Sequence, residues 1–411
     1  MSKKGKIFVW TLFDFANTSF SIIVVTFLYA VYFKKTVASG EPIGDLYWSF
    51  ATSIAMIVTA IISPILGAIA DYSAGKKRFL LFFTALCITA TSSLYFVGEG
   101  TIFWGIFLFV IANIGFEAGL VFYDAFLPEI TEPKNYGRVS GYGFAMGYLG
   151  SLATLAIVYP FITADKIRET FIVSAIFFLV FSIPLFLFLR DNRKDIQRTE
   201  SYFKIGVGRV LDTVKNLRHY KNLATFLLAF FFYIEGVNTV IYFSGNYAST
   251  TLGFSETELL IFFITVQTTA ILGSAVLGIV ADSIGQKKTI IITLLLWLVT
   301  IFLAIVIRDK TGFYVVGLLA GSAMGSSQST SRSLMSKLTP PEKKTEFFGF
   351  YSFFGKSSAV LGPLVFGLVS YLTESQRLAI FSVGFFFLIG LLVLTKVKEP
   401  LPAENTNLSS E

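Results

Sequence analysis

Stretch after stretch of this chain runs for about 20 mostly apolar residues, and that recurrence limits its fold more than any other feature. A helix rising 1.5 Å per residue needs about that length to cross the hydrocarbon layer. Measured this way, the sequence holds twelve spans, at 7–33, 46–70, 79–98, 101–127, 138–163, 169–189, 222–249, 257–281, 289–307, 311–334, 346–372 and 377–395. The fold class this predicts is all-α, a membrane protein of twelve transmembrane helices. With 54% hydrophobic and 14% charged residues in 411, the chain is too apolar and too long for one soluble core.

The chain is also written twice. Gly67–Arg78, GAIADYSAGKKR, returns 211 positions later as GIVADSIGQKK, Gly278–Lys288. Asp14, Asn17 and Thr18 are answered by Glu235, Asn238 and Thr239 at an offset of 221, and Gly141 and Gly147 by Gly349 and Gly355 at 208. The offset shifts only across loops, so the expected organisation is a six-helix half at 1–189, a basic linker at 190–221, a second half at 222–398 and a disordered tail at 399–411. Nine Lys/Arg against four Asp/Glu keep the linker out of lipid. Of the 33 Lys/Arg, 25 fall on the side of the termini and linker, 7 on the other side, and Lys356 within a span. That bias places both termini in the cytoplasm. The long first run after MSKKGK predicts a retained span instead of a cleaved signal.

Several chemistries have no anchor. The one cysteine, Cys87, lies in an apolar run and the one histidine, His219, in the basic linker, so neither a disulfide nor a metal cage is expected. Gly355, Lys356 and Ser357 resemble the end of a nucleotide-binding loop, but Gly349 is one residue too early and the stretch is an apolar helix. No enzyme, cofactor or nucleic-acid partner is expected; the net charge of +7 follows loop side.

The duplicated loop resembles the signature loop between the second and third helices of the major facilitator superfamily. DFANTSF in the first span, with FYDAFLPEI and GRVSGYGFAMGYLGS, is similar to the branch of the vacuolar amino-acid effluxers of autophagy and their bacterial relatives. That resemblance implies two halves rocking around a midplane site, and export of amino acids or similar small solutes coupled to an ion gradient, with H+ as the expected ion. It makes Asp71 and Asp282 structural gating residues at the inner face. It also puts the first and seventh helices along a central cavity. A monomer in a bacterial inner membrane, with lipid and a small solute as partners, completes the expectation.

Ionisable side chains inside spans are costly and normally face a bundle interior or a wet cavity. Asp14, Asn17, Thr18 and Ser21 share one helical face, and Glu235, Asn238, Thr239 and Tyr242 repeat the stripe. The two stripes are expected to face each other, with the amides and Thr239 bonding substrate and Asp14 or Glu235 carrying a proton or pairing with an amine; the alternative is that they hold helices together. Glu117, on a face with Asn113, is expected to pair with Lys356, unless each binds one end of a zwitterion or Lys356 snorkels. At the 208 offset Asp124 answers Arg332, Glu129 answers Lys337 and Arg138 answers Glu346. These three couples predict an inner gate of ion pairs across the halves, against local pairing within each half. The glycines of the fifth and eleventh spans predict close packing or hinges. Aromatics such as Phe116, Tyr123, Phe230 and Tyr233 leave open a proton-driven exporter of amphipathic drugs, and a non-transporting receptor or scaffold is the third reading.

Overall fold

The computed structural model describes residues 1–41, 43–73, 75–191, 201–359 and 361–400. Residues 192–200 of the expected linker and 401–411 of the expected tail lie outside the described residues. Glu399, at the start of that tail, is held in place: it accepts from the backbone N–H groups of Gln286 and Lys287 and from the Lys337 ammonium.

The chain is an all-α membrane protein. Eleven helices among the described residues are long and apolar enough to cross a bilayer. Spans 1 to 6 are Lys3–Val37, Ile43–Ser73, Lys76–Phe96, Ile102–Ile130, Pro133–Thr163 and Ile167–Phe188; spans 7 to 9 are Lys221–Thr250, Glu256–Ile284 and Gln286–Val306; span 11 is Pro341–Thr373 and span 12 is Gln376–Thr395. Span 10, Lys310–Leu338, has the length but not the apolar content, because its second half reads SSQSTSRS. Those hydroxyls are buried against protein, and four of them, on Ser326, Ser327, Ser329 and Ser331, donate to the helix's own carbonyls, so lipid never meets them.

Spans 1 and 11 depart from regular helix. Span 1 widens into π-helical turns at Ser21–Phe27 and Phe33–Val37. Span 11 is broken into Lys344–Ser358 and Leu361–Thr373. Pro363 explains the break, since it lacks an N–H and its ring collides with the carbonyl four residues earlier.

Span 2 packs along span 11, and span 5 along span 8, so two seams join spans 1–6 to spans 7–12. Glycines let the backbones touch: a Cβ on Gly141 would overlap the Ser274 carbonyl, and one on Gly349 would overlap Ser63 and Pro64. The first residues of the chain, Glu399 and the linker helix, Tyr202–Lys215, lie at one end of the bundle, called here the linker face.

Candidate functional site

The site begins at the linker face with two aspartates. Asp71, at the end of span 2, accepts from the backbone N–H groups of Thr345 (3.0 Å) and Glu346 (2.8 Å), the first turn of span 11. Asp282, at the end of span 8, accepts from the N–H groups of Gly137 (2.7 Å) and Arg138 (3.1 Å) and from Arg138 Nε (2.7 Å), at the first turn of span 5. Those two helices begin on Lys343 and Asn135, neither of which caps its own helix with a side chain. Each half therefore supplies the missing cap of the other, and each carboxylate meets the positive end of a helix dipole. Gly67 and Gly278 permit it: a Cβ at either would overlap backbone of the facing helix, Thr345 or Gly137.

Two expected couples are not formed here. Arg138 binds Asp282, while Glu346 is buried against Thr213 of the linker helix, with Arg209 at 3.7 Å and Lys343 at 3.9 Å. Glu129 pairs with Lys76 of its own half, and Lys337 with Glu399 and Gln286 of its own. The repeat makes these residues equivalent without bringing them together: Asp282 across the seam takes Arg138, the linker helix meets Glu346, and nearer partners take Glu129 and Lys337.

The third couple is formed. Arg332 reaches from span 10 across the seam and donates to Asp124 (3.0 Å), to Asp14 (3.2 Å) and to Ser140 Oγ and O (2.9 Å each). Its guanidinium lies 4.7 Å from the Trp10 ring and 4.3 Å from that of Phe144. One buried cation thus ties spans 1, 4 and 5 to span 10. The expectation that Asp14 faces Glu235 fails here, because Arg332 claims it.

Deeper, Glu117 of span 4 and Lys356 of span 11 form an ion pair between the halves. Glu117 stands seven residues beyond Asp124, about 10 Å further into the bilayer. Four residues earlier Asn113 is fully buried, and both polar atoms of its side chain lack a protein partner. Asn17 is buried with its amide nitrogen likewise unpartnered, and Thr18 donates to the Gly147 carbonyl.

Glu235 points elsewhere, into the seam between spans 7 and 11. It is fully buried and accepts from the Gly362 N–H, freed by the break in span 11, and from Thr239 at 3.4 Å, while its second oxygen has no protein partner. The Asp14 and Glu235 stripes therefore do not face each other. Asn238 is half-buried and Tyr242 exposed. Pro363 is the sequence signal that could have flagged the free Gly362 N–H; nothing in the sequence signalled Ser140 or Tyr148, whose hydroxyl donates to Gln328 across the seam.

Among the described residues, every hydrogen bond and ion pair between spans 1–6 and 7–12 lies between the linker face and the Glu117–Lys356 pair. The structure is thus closed at the linker face.

A family model described as vacuole effluxer Atg22 like matches residues 46–400. The chain belongs to that family. It is 31% identical over 404 residues, 95% of this chain and 94% of the relative, to an uncharacterized MFS-type transporter, YxiO, of Bacillus subtilis. Autophagy-related protein 22 of Kluyveromyces lactis is 24% identical, over 77% of this chain and 72% of its own. Among solved structures, the human organic anion transporter MFSD10 superposes with a TM-score of 0.76 at 15% identity, covering 96% of this chain and all (100%) of its own. The proton:xylose symporter XylE does so at 0.74, covering 97% of this chain and 96% of its own. The likenesses to these two structures establish the fold. As a member of the Atg22-like family this is a transporter of the major facilitator type, not an enzyme.

Proposed function

We propose that this transporter exports amino acids, coupled to protons, by alternating access between its two halves. It would do so as a monomer in a bacterial inner membrane, with the linker face and both termini in the cytoplasm, the side favoured by the Lys/Arg bias.

The observation that carries this reading is the Glu117–Lys356 pair, one charge on each half at mid-bilayer. A buried charge left alone costs several kcal/mol, so the pair holds together while the site is empty. A zwitterion can divide it without leaving either charge bare: its carboxylate goes to Lys356, its ammonium to Glu117, and the unpartnered Asn113 and Asn17 amides supply further bonds. The divided pair no longer binds half to half, which frees the halves to rock. The gate at the linker face would be Asp71, Asp282, Arg138, Glu346 and the Arg332–Asp124 pair. Asp14 and Glu235 are the carboxylates placed to take up a proton, Asp14 because protonation weakens its hold on Arg332, Glu235 because one oxygen is buried without a donor. Asn238 and Thr239 flank Glu235 and Thr18 flanks Asp14 on the same stripes.

The drug-exporter reading needs a wide aromatic cavity, but Tyr123 stacks on Trp10 with centroids 4.7 Å apart and Phe230 on Tyr351 at 4.1 Å, as packing.

Counterflow in proteoliposomes with a labelled amino-acid mixture at two pH values tests the reading. Uptake by the wild type, lost in Glu117→Gln and Lys356→Met, is expected. No counterflow of any amino acid would overturn the substrate class. Unchanged pH dependence in both Asp14→Asn and Glu235→Gln would overturn the proton role.

A further inference from the structure

We propose that the linker helix, Tyr202–Lys215, is a docking surface for anionic lipid headgroups, lying in the bilayer interface beside span 2. Its position comes from Gly206, where a Cβ would meet the Ile65 carbonyl at 2.9 Å and the Ile69 side chain. Ile65 stands eight residues before the end of span 2 at Ser73, about 12 Å in at 1.5 Å per residue. The helix therefore sits level with the end of a membrane span and not beyond it. It also continues the outward stripe of that span: Ile54, Ile57 and Ile61 are exposed, and the next turn, at Ile65, is where the linker helix lies.

The helix has three sides at 100° per residue. Gly206 and Thr213 face the protein and are buried. Phe203, Leu211 and Val214 form a neighbouring apolar side that protein leaves uncovered, at 67%, 52% and 51% exposure. Gly208 and Lys215 lie beyond that side, with Arg218 just past the end. Three such apolar side chains on a bare helix need cover, and here hydrocarbon is the solvent at hand. An apolar side edged by basic residues, here Lys215 and Arg218, is the pattern of an interfacial helix, and their charge selects negative headgroups. The protein-facing side carries Thr213, with Arg209 beside it, and these hold Glu346 at the start of span 11, so a lipid-bound helix would brace the closed linker face.

Single-cysteine labelling tests this in the full chain, since the one native cysteine, Cys87, is buried. A bimane label is placed at Leu211→Cys, at Val214→Cys and, on the polar side, at Gly208→Cys, where a Cβ would meet nothing within 4 Å. The protein is reconstituted with lipids brominated high on the acyl chain. Quenching at 211 and 214 but not at 208 is expected; equal quenching at all three would overturn the docking. Brominated phosphatidylglycerol should quench at least about twofold more than brominated phosphatidylcholine at the same mole fraction, and Lys215→Glu should reduce that excess. Equal quenching by the two lipids would overturn the headgroup preference.

Discussion

Replacing Arg332 with methionine should open the linker face. The arginine side chain is 3% exposed and its partners Asp14 and Asp124 are 11% and 17% exposed, so water screens this network little. Removing one member of a buried ion pair costs about 3–5 kcal/mol, mostly because the remaining charge is left without a partner. Here two carboxylates would be stranded, and only while the face is closed, since opening lets water reach them. At 1.36 kcal/mol per decade, even the lower figure moves the equilibrium on the order of 100-fold toward the open form. Thr330, two residues before Arg332, is fully buried with a hydroxyl that has no protein partner, so Thr330→Cys is a mild reporter. Its alkylation by a hydrophilic reagent added at the linker face should quicken on the order of 100-fold in Arg332→Met. Adding Asp14→Asn and Asp124→Asn should restore slow alkylation, because replacing a whole buried network with neutral groups is often neutral. An alkylation rate in Arg332→Met within about twofold of the parent, well below the penalty for a stranded buried charge, would refute the assignment of Arg332 as the closing residue.

Other outcomes follow from the same geometry. Asp71→Ala and Asp282→Ala should each weaken closure by about 0.5–2 kcal/mol, the usual worth of an N-cap, with faster hydrogen exchange at Thr345 and Glu346 for the first and at Gly137 and Arg138 for the second. The Asp282 variant should show the larger effect, because Arg138 loses its partner too. Glu117→Lys combined with Lys356→Glu should regain thermal stability lost by either alone, a coupling of about 0.5–3 kcal/mol in a double-mutant cycle; additive losses would mean that the pair does not interact. Pro363→Ala should fuse the two pieces of span 11, raise the melting temperature and lower turnover in counterflow, and no change in either would show that the break is not held by the proline.

The sequence reading reached the fold because lipid leaves the backbone few choices. Span length, loop charge and the duplicated Gly-Asp-Gly loop each report a local requirement, and each can be read without knowing what packs where. Glu117 with Lys356 and Asp124 with Arg332 were also within reach, since a buried charge demands an opposite one. Which neighbour it chooses among several is a matter of angstroms. Asp14 lies on the expected inner face of span 1, yet the reach of Arg332 decides its partner. Arg138 and Glu346 are equivalent by repeat, but Asp282 and Thr213 stand nearer. The break in span 11 went unread, although Pro363 is a local signal for it, whereas the freed Gly362 N–H meeting Glu235 depends on how span 7 is rotated against span 11.

The crossed caps of Asp71 and Asp282 make each half an unfinished object. The N–H groups of Thr345 and Glu346 wait on a residue from the first half, and those of Gly137 and Arg138 on one from the second. Because the two clasps sit on separate seams, one could let go while its twin still gripped, and the proposed rocking of the halves would then pivot about the clasp that remains. In that proposed cycle the molecule need never part along its whole linker face at once, and a lopsided, half-released form would be a natural waypoint.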